Sequence, residues 1–239
     1  MKIISVVGTK DTGKTTLVVK IIKELVNRGF KVGSMKHMHE SFDVEGRDTW
    51  KHKEAGAELV VGSADETFFL INQKLDIENL LTQSECLLNL DYMVIEGLKF
   101  SNYAKISVSD FEDEFTIAKI NAKEIDDKSL KELVDLVEER AYGILPYMDC
   151  KDCDYDSCKE MAKAAAKGEI NEQVCVMKKM KDIELRVDGK SIPMNPFVQK
   201  FVQNTTLGMI SSLRGESLKD FEGKKVELII KGGTIDKKY

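Results

Sequence analysis

Gly8-Thr9-Lys10-Asp11-Thr12-Gly13-Lys14-Thr15 is the stretch on which the fold turns. It matches G-x-x-x-x-G-K-[ST], a loop whose backbone N–H groups close around a β-phosphate while the next helix adds a favourable N-terminal dipole. The apolar run Ile3-Ile4-Ser5-Val6-Val7 before it reads as a buried strand. Leu17, Val18, Ile21, Ile22 and Leu25 after it recur at helical spacing. In that strand–loop–helix context Lys14 is placed to reach the β- and γ-phosphates, and the Thr15 hydroxyl to ligate Mg²⁺.

Working outward, residues 1 to about 145 alternate strand-like and helix-like patterns. Val32 to Met35, Leu59 to Val61, Phe68 to Ile71, Tyr92 to Ile95, Ile106 to Val108 and Phe115 to Ala118 read as strands. Asp76 to Leu81 and the Leu130, Leu133, Val134, Val137 face read as helices. The alternation predicts an α/β P-loop NTPase with a mostly parallel sheet and helices on both faces. Ligands of such sheets sit at the carboxyl ends of the strands.

Tyr92-Met93-Val94-Ile95 ends in Glu96-Gly97 and reads as a Walker-B-like strand. Glu96 is the candidate acid for the Mg²⁺ shell or the attacking water. Asp91 lies at the other end of that strand, roughly 16 Å away, too far to share the ion. The stretch from Lys36-His37-Met38-His39 through Asp43, Glu45, Arg47 and Asp48 is unusually polar. Were Lys36 to His39 extended, His37 and His39 would share a face, and with Asp43 could bind a metal. A flexible substrate-contacting loop fits these residue types better.

The texture changes at Gly143. Cys150-x2-Cys153-x4-Cys158-x16-Cys175 offers four thiolates, which suit zinc or a [4Fe–4S] cluster. A zinc ribbon usually carries two short C-x2-C knuckles, and the second is missing, so the spacing favours the cluster. Lys159 to Lys167 reads as an Ala-rich helix ending at Gly168. Cys86, among Leu80, Leu81, Leu87 and Leu88, reads as a buried core thiol. Beyond residue 180, Ile183, Leu185 and Val187 alternate into an Asp188-Gly189 hairpin turn, Asn195-Pro196 opens a helix, and Val226 to Ile230 reads as a last strand. The predicted units are a nucleotide-binding domain at 1–145, a four-cysteine module at 146–180 and a small α+β domain at 181–239.

The 239 residues carry 42% hydrophobic and 32% charged side chains, the mix of a globular protein. A formal net charge of −5 argues against a broad nucleic-acid surface. No apolar run approaches the ~18 residues of a membrane span. The N-terminus runs straight into the phosphate loop, and five cysteines without a secretory signal point to a reducing cytoplasm.

Three segments together resemble the MobB family, nucleotide-binding adaptors of molybdopterin-guanine dinucleotide biosynthesis. They are the loop continuing through Thr16-Leu17; Lys36-His37-Met38-His39 with Phe42-Asp43-Val44, Gly46-Arg47-Asp48-Thr49 and Ala55-Gly56-Ala57; and Val94-Ile95-Glu96-Gly97-Leu98-Lys99. The match spans roughly residues 1 to 120. The resemblance implies a GTP-binding, slowly hydrolysing homodimer. It would assist transfer of a GMP moiety onto a molybdenum- or tungsten-bound pterin, alongside the pterin nucleotidyltransferase of the pathway or a molybdo- or tungstoenzyme. It also implies that Gly8, Gly13, Lys14, Thr15 and Thr16 hold the triphosphate and that Asp43 and Glu96 lie near Mg²⁺. Lys36, His37, His39, Arg47 and Asp48 would face the phosphates or the partner. The residues themselves leave the base open, since no Asn-Lys-x-Asp motif occurs and Ala118-Lys119-Ile120-Asn121 does not replace it. The cysteine run resembles small four-cysteine [4Fe–4S] domains of corrinoid and redox proteins, with Asp154 where Gly is usual. Two rival functions remain: an ATP-driven metallochaperone or reductive activator using the cluster, and an adaptor without meaningful turnover.

Overall fold

The structure is a computed structural model that describes residues 1–38, 45–170, 175, 183, 185–187, 190–192 and 194–212. Five parallel strands form the central sheet: β1 (Lys2–Val7), β2 (Val32–Lys36), β5 (Tyr92–Glu96), β6 (Ala104–Ser107) and β7 (Thr116–Lys119). Their order is β2-β5-β1-β6-β7. β1 and β5 read as continuous apolar runs because the sheet is covered on both sides, and Ile3, Ile4, Val6, Val94 and Ile95 are fully buried. A second, two-stranded antiparallel sheet pairs β3 (Leu59–Ser63) with β4 (Thr67–Ile71). The sequence predicts these two segments as strands but does not show that they leave the main sheet.

The helices are α1 (Lys14–Asn27), α2 (Asp48–Glu54), α3 (Ile77–Leu88), α4 (Asp127–Arg140), α5 (Cys158–Ala166) and α6 (Pro196–Ser211). Asp76, Asp126, Ser157 and Asn195 cap α3, α4, α5 and α6 by accepting a first-turn N–H. α1 buries Leu17, Val18, Ile21 and Leu25, as its spacing predicts. Arg28 at its C-terminal end donates to Asp135 and Glu138 of α4, both at 2.6 Å, and to Glu24 at 3.0 Å, locking the two helices side by side.

α2 is absent from the sequence prediction. It has no buried residue, so it carries no apolar periodicity to read. Cys86 is a correction: the thiol is exposed, not buried. α3 buries Leu81 but runs out over solvent at its end, where Leu87 and Leu88 are exposed as well. The helix at 159–167 is found as α5, and Gly168 takes the left-handed conformation (φ 75°) that ends it. The hairpin near residue 188 is found as β8 (Leu185–Val187) paired with β9 (Lys190–Ile192), although its turn lies outside the described residues. The strand expected at Val226 to Ile230 also lies outside them.

The hydrophobic core is continuous from β1 through Leu145 into Cys158, Met161, Ala162, Ala165, Ala166 and Cys175. The four-cysteine segment therefore shares its core with the nucleotide-binding sheet. Lys163 of α5 bridges to Glu114 between β6 and β7 at 2.6 Å, and a Cβ on Gly168 would press on Glu139 and Arg140 of α4.

Candidate functional site

β1 stops at Val7 and the chain coils through Gly8–Gly13 into α1. A Cβ on Gly8 would sit 2.7 Å from the Val108 side chain and 3.0 Å from Thr12 Oγ1, so only glycine allows this path. Gly13 has φ 86°, and its Cβ position lies 3.1 Å from Ala122. Asp11 is left-handed too, at φ 60°. Thr9, Lys10 and Asp11 are exposed at the tip, and Thr12 Oγ1 donates to the Thr9 carbonyl at 2.8 Å. The Lys14 ammonium donates to the same carbonyl, folding its side chain back across the loop.

The start of α1 has no side-chain cap and no acidic residue in its first turn. Its orphan N–H groups and positive dipole end are therefore available to an anion. Thr15 and Thr16, in that first turn, are exposed.

Strand register assembles the rest. β5 lies directly beside β1, with Glu96 opposite Val6, so the end of β5 meets the root of the loop. Thr15 Oγ1 donates to Glu96 Oε2 at 2.9 Å. On the other side Lys36 is the direct register partner of Glu96, and its Nζ lies 3.2 Å from Oε1. One carboxylate is thus held between a hydroxyl and an ammonium at the mouth of the phosphate loop. The next residue, His37, donates its backbone N–H to the Glu96 carbonyl at 3.0 Å. Asp91, at the far end of β5, accepts from the Lys31 N–H at 2.8 Å, outside this site as its position in the strand predicts.

Not every predicted residue gathers here. Arg47 is the N-cap residue of α2, and Asp48 opens that helix paired to Lys51 at 3.1 Å; both are exposed. His39 and Asp43 lie outside the described residues, so the His37–His39–Asp43 grouping stays an expectation. The sequence missed one neighbour. The β7–α4 connection lies against Gly13 through Ala122 and Lys123, and Asn121 Oδ1 accepts the Lys123 N–H at 3.2 Å. Ala122 stands three residues beyond the end of β7, and no local sequence pattern marks it as a neighbour of the loop.

Cys150, Cys153, Cys158 and Cys175 line one cavity with Tyr155 and Met161. Cys158 opens α5, and its N–H donates to Asp149 Oδ1 at 2.6 Å. Asp149, Lys151 and Asp154 all take left-handed backbone, with φ of 47°, 62° and 63°. The loop therefore coils tightly around the sulfurs, and Asp154 shows why glycine suits its position. Among the described residues no three His, Cys, Asp or Glu side chains are placed to hold a single metal ion.

The parallel sheet, the glycine-built loop and the acid on the adjacent strand place this chain among the P-loop NTPases. Residues 3–127 match the family described as "Molybdopterin guanine dinucleotide synthesis protein B", abbreviated MobB, and residues 145–177 match a family described as "Putative Fe-S cluster". A relative from Methanocaldococcus jannaschii, "Putative molybdopterin-guanine dinucleotide biosynthesis adapter protein", is 34% identical over 90% of this chain and 93% of its own. The "Molybdopterin-guanine dinucleotide biosynthesis adapter protein" of Haemophilus influenzae is 33% identical over 44% of this chain and 61% of its own. The crystal structure of Bacillus subtilis MobB aligns at 23% identity over 60% of this chain and all of that chain, with a TM-score of 0.45. The chain belongs to the MobB family. Among the described residues no helix is long and apolar enough to cross a membrane.

Proposed function

We propose that this protein is a GTP-binding adapter of molybdopterin-guanine dinucleotide biosynthesis, with slow hydrolysis and a [4Fe–4S] module that is structural or redox-sensing. The observation that carries the nucleotide part is the Thr15–Glu96–Lys36 arrangement at the mouth of an uncapped helix. The Thr15 hydroxyl and the Glu96 carboxylate are hard oxygen donors side by side, the donor set Mg²⁺ prefers. Mg²⁺ held there neutralises phosphate charge. Lys14 leaves the Thr9 carbonyl for the β- and γ-phosphates, the first-turn N–H groups of α1 cradle them, and Lys36 restrains Glu96 as it orients water. Turnover is slow because no arginine among the described residues is seated at the loop; Arg47 stands exposed at the start of α2, and Arg28 is turned to α4. Asn121–Lys123 is the segment best placed to meet the base.

The cluster assignment is supported by four cysteines lining one cavity and by the match of residues 145–177 to the family described as "Putative Fe-S cluster".

The proposed partners are GTP, the pterin nucleotidyltransferase of the pathway and a second copy of the chain. For the dimer, Leu59, Val61, Phe69 and Ile71 share one face of the β3–β4 hairpin by register, and all four are exposed. An isolated two-stranded sheet is marginal alone and needs a covering layer. Phe69→Asp is expected to convert the dimer to monomer in sedimentation velocity. A wild-type monomer, or a variant that still dimerises, would remove this role from the hairpin.

The direct test of the main reading is anaerobic competition of GTP against ATP for the Mg²⁺-loaded protein. At least tenfold preference for GTP is expected. Preference for ATP would favour the reductive activator instead.

A further inference from the structure

The connection between β7 and α4 is anchored at both ends. Ile120 donates its N–H to the Ser107 carbonyl at the end of β6, at 2.9 Å. Lys20 of α1 donates to the Ile125 carbonyl, also at 2.9 Å. Between these anchors Ala122 is buried, its Cβ 3.1 Å from where a Cβ on Gly13 would sit. The turn therefore abuts the phosphate loop at the residue before Lys14.

Around Ala122 the chain exposes Asn121, Lys123 and Glu124. Asn121 Oδ1 accepts the Lys123 N–H at 3.2 Å, and the Asn121 carbonyl accepts the Glu124 N–H, also at 3.2 Å. Only the amide oxygen can accept an N–H, so the first bond fixes the amide plane and leaves its NH2 group as a donor. Glu124, ionised, offers acceptors alone. Lys119 and Lys128 pair with Asp110 and Glu132, and Lys20 is held by the Ile125 carbonyl, so none of the three neutralises it. The Lys123 Cγ lies 3.9 Å from the Gly13 Cβ position, which lays its aliphatic stem along the loop as an apolar surface.

The order of the sheet gives the direction. Glu96, at the terminal-phosphate side, lies on the β5 flank of β1, and this turn follows β7 on the opposite flank. A nucleotide with its phosphates in the loop therefore carries its base toward the turn, at the carboxyl ends of the strands.

We infer that Asn121 and Glu124 select guanine: the Asn121 NH2 group donates to the ring acceptors O6 and N7, and the Glu124 carboxylate accepts from N1–H and the 2-amino group. A donor and an acceptor three residues apart across one turn match that edge. They oppose adenine, whose 6-amino group would face a donor and whose N1 lone pair would face a carboxylate. Polar groups left facing the wrong partner discriminate steeply. The selection rests on the nucleotide-binding reading proposed above.

The test is calorimetric titration of GTP, ITP, xanthosine triphosphate and ATP into the Mg²⁺-loaded, anaerobically purified full chain. The parent is expected to bind GTP at least fivefold more tightly than ITP, which lacks the 2-amino group. Glu124→Gln should weaken GTP at least tenfold and leave ATP no weaker. It should also tighten xanthosine triphosphate at least fivefold, because the new amide donates to the 2-oxo group; misfolding cannot produce such a gain. Asn121→Asp keeps the acceptor for the Lys123 N–H, removes the donor, and should weaken GTP at least tenfold as well. A parent GTP preference that survives Glu124→Gln, or equal losses for GTP and ATP in that variant, would overturn the selection and leave the GTP reading standing. A parent that does not prefer GTP over ATP would remove the GTP reading itself, and the selection with it.

Discussion

Lys14→Ala is expected to abolish nucleotide binding, with affinity falling at least 100-fold, equivalent to about 2.7 kcal/mol. Among the described residues its ammonium is hydrogen bonded within its own loop, where it donates to the Thr9 carbonyl. Its removal therefore leaves the fold intact and costs only what it contributes to the phosphates. A charge-assisted hydrogen bond is worth roughly 1.5–3 kcal/mol, and a lysine spanning two phosphates supplies at least one such bond in a loop otherwise built from backbone N–H groups. Titration with a fluorescent GTP analogue measures the loss, and an unchanged thermal midpoint shows that folding is unaffected. Parent-like affinity in the variant would remove the phosphate-loop assignment.

Cys158→Ser is expected to strip the iron–sulfur module and to destabilise the whole nucleotide-binding unit with it. Iron and acid-labile sulfide near four each per chain in the parent should fall by more than half in the variant, together with the visible absorption. One zinc and no sulfide in the parent would overturn the cluster assignment. The stability effect follows from packing. Cys158 and Cys175 are buried in the core that also holds β1, so loosening the cysteine loop exposes apolar surface shared with the sheet. Loss of metal ligation belongs to the small set of large-effect changes, and a cost of about 3 kcal/mol lowers the midpoint by roughly 6–12 °C in a chain of this size. A midpoint that does not move would mean that the module is a passenger on the nucleotide domain.

Local pattern carried much of this architecture. β1 and β5 announce themselves as apolar runs, and α1, α4 and α5 by an apolar face, because burial selects side chains at the period of the element. Cys86 shows where that logic ends. Leucines surround it, yet α3 projects past the core, so composition around the thiol does not report its exposure. α2 shows the converse: a helix of polar residues leaves no periodic trace. The hairpin strands were legible, but their departure from the main sheet was not. Strand identity is a property of a few residues, whereas pairing depends on which partners the rest of the chain brings near.

The same division runs through the candidate site. The sequence by itself determined the phosphate loop, since strand, glycine turns, Lys14, Thr15 and helix start are contiguous and act through short-range backbone geometry. It also determined the four-cysteine spacing, which restricts the ligand chemistry. Only the tertiary structure decided what surrounds Glu96. Thr15 reaches it across 81 residues of chain, and Lys36 pairs with it because β2 lies beside β5 in a register that sets them side by side. A hydrogen bond or a cavity wall needs atoms to meet in space, and for residues far apart in the chain only the order and register of the sheet bring them there.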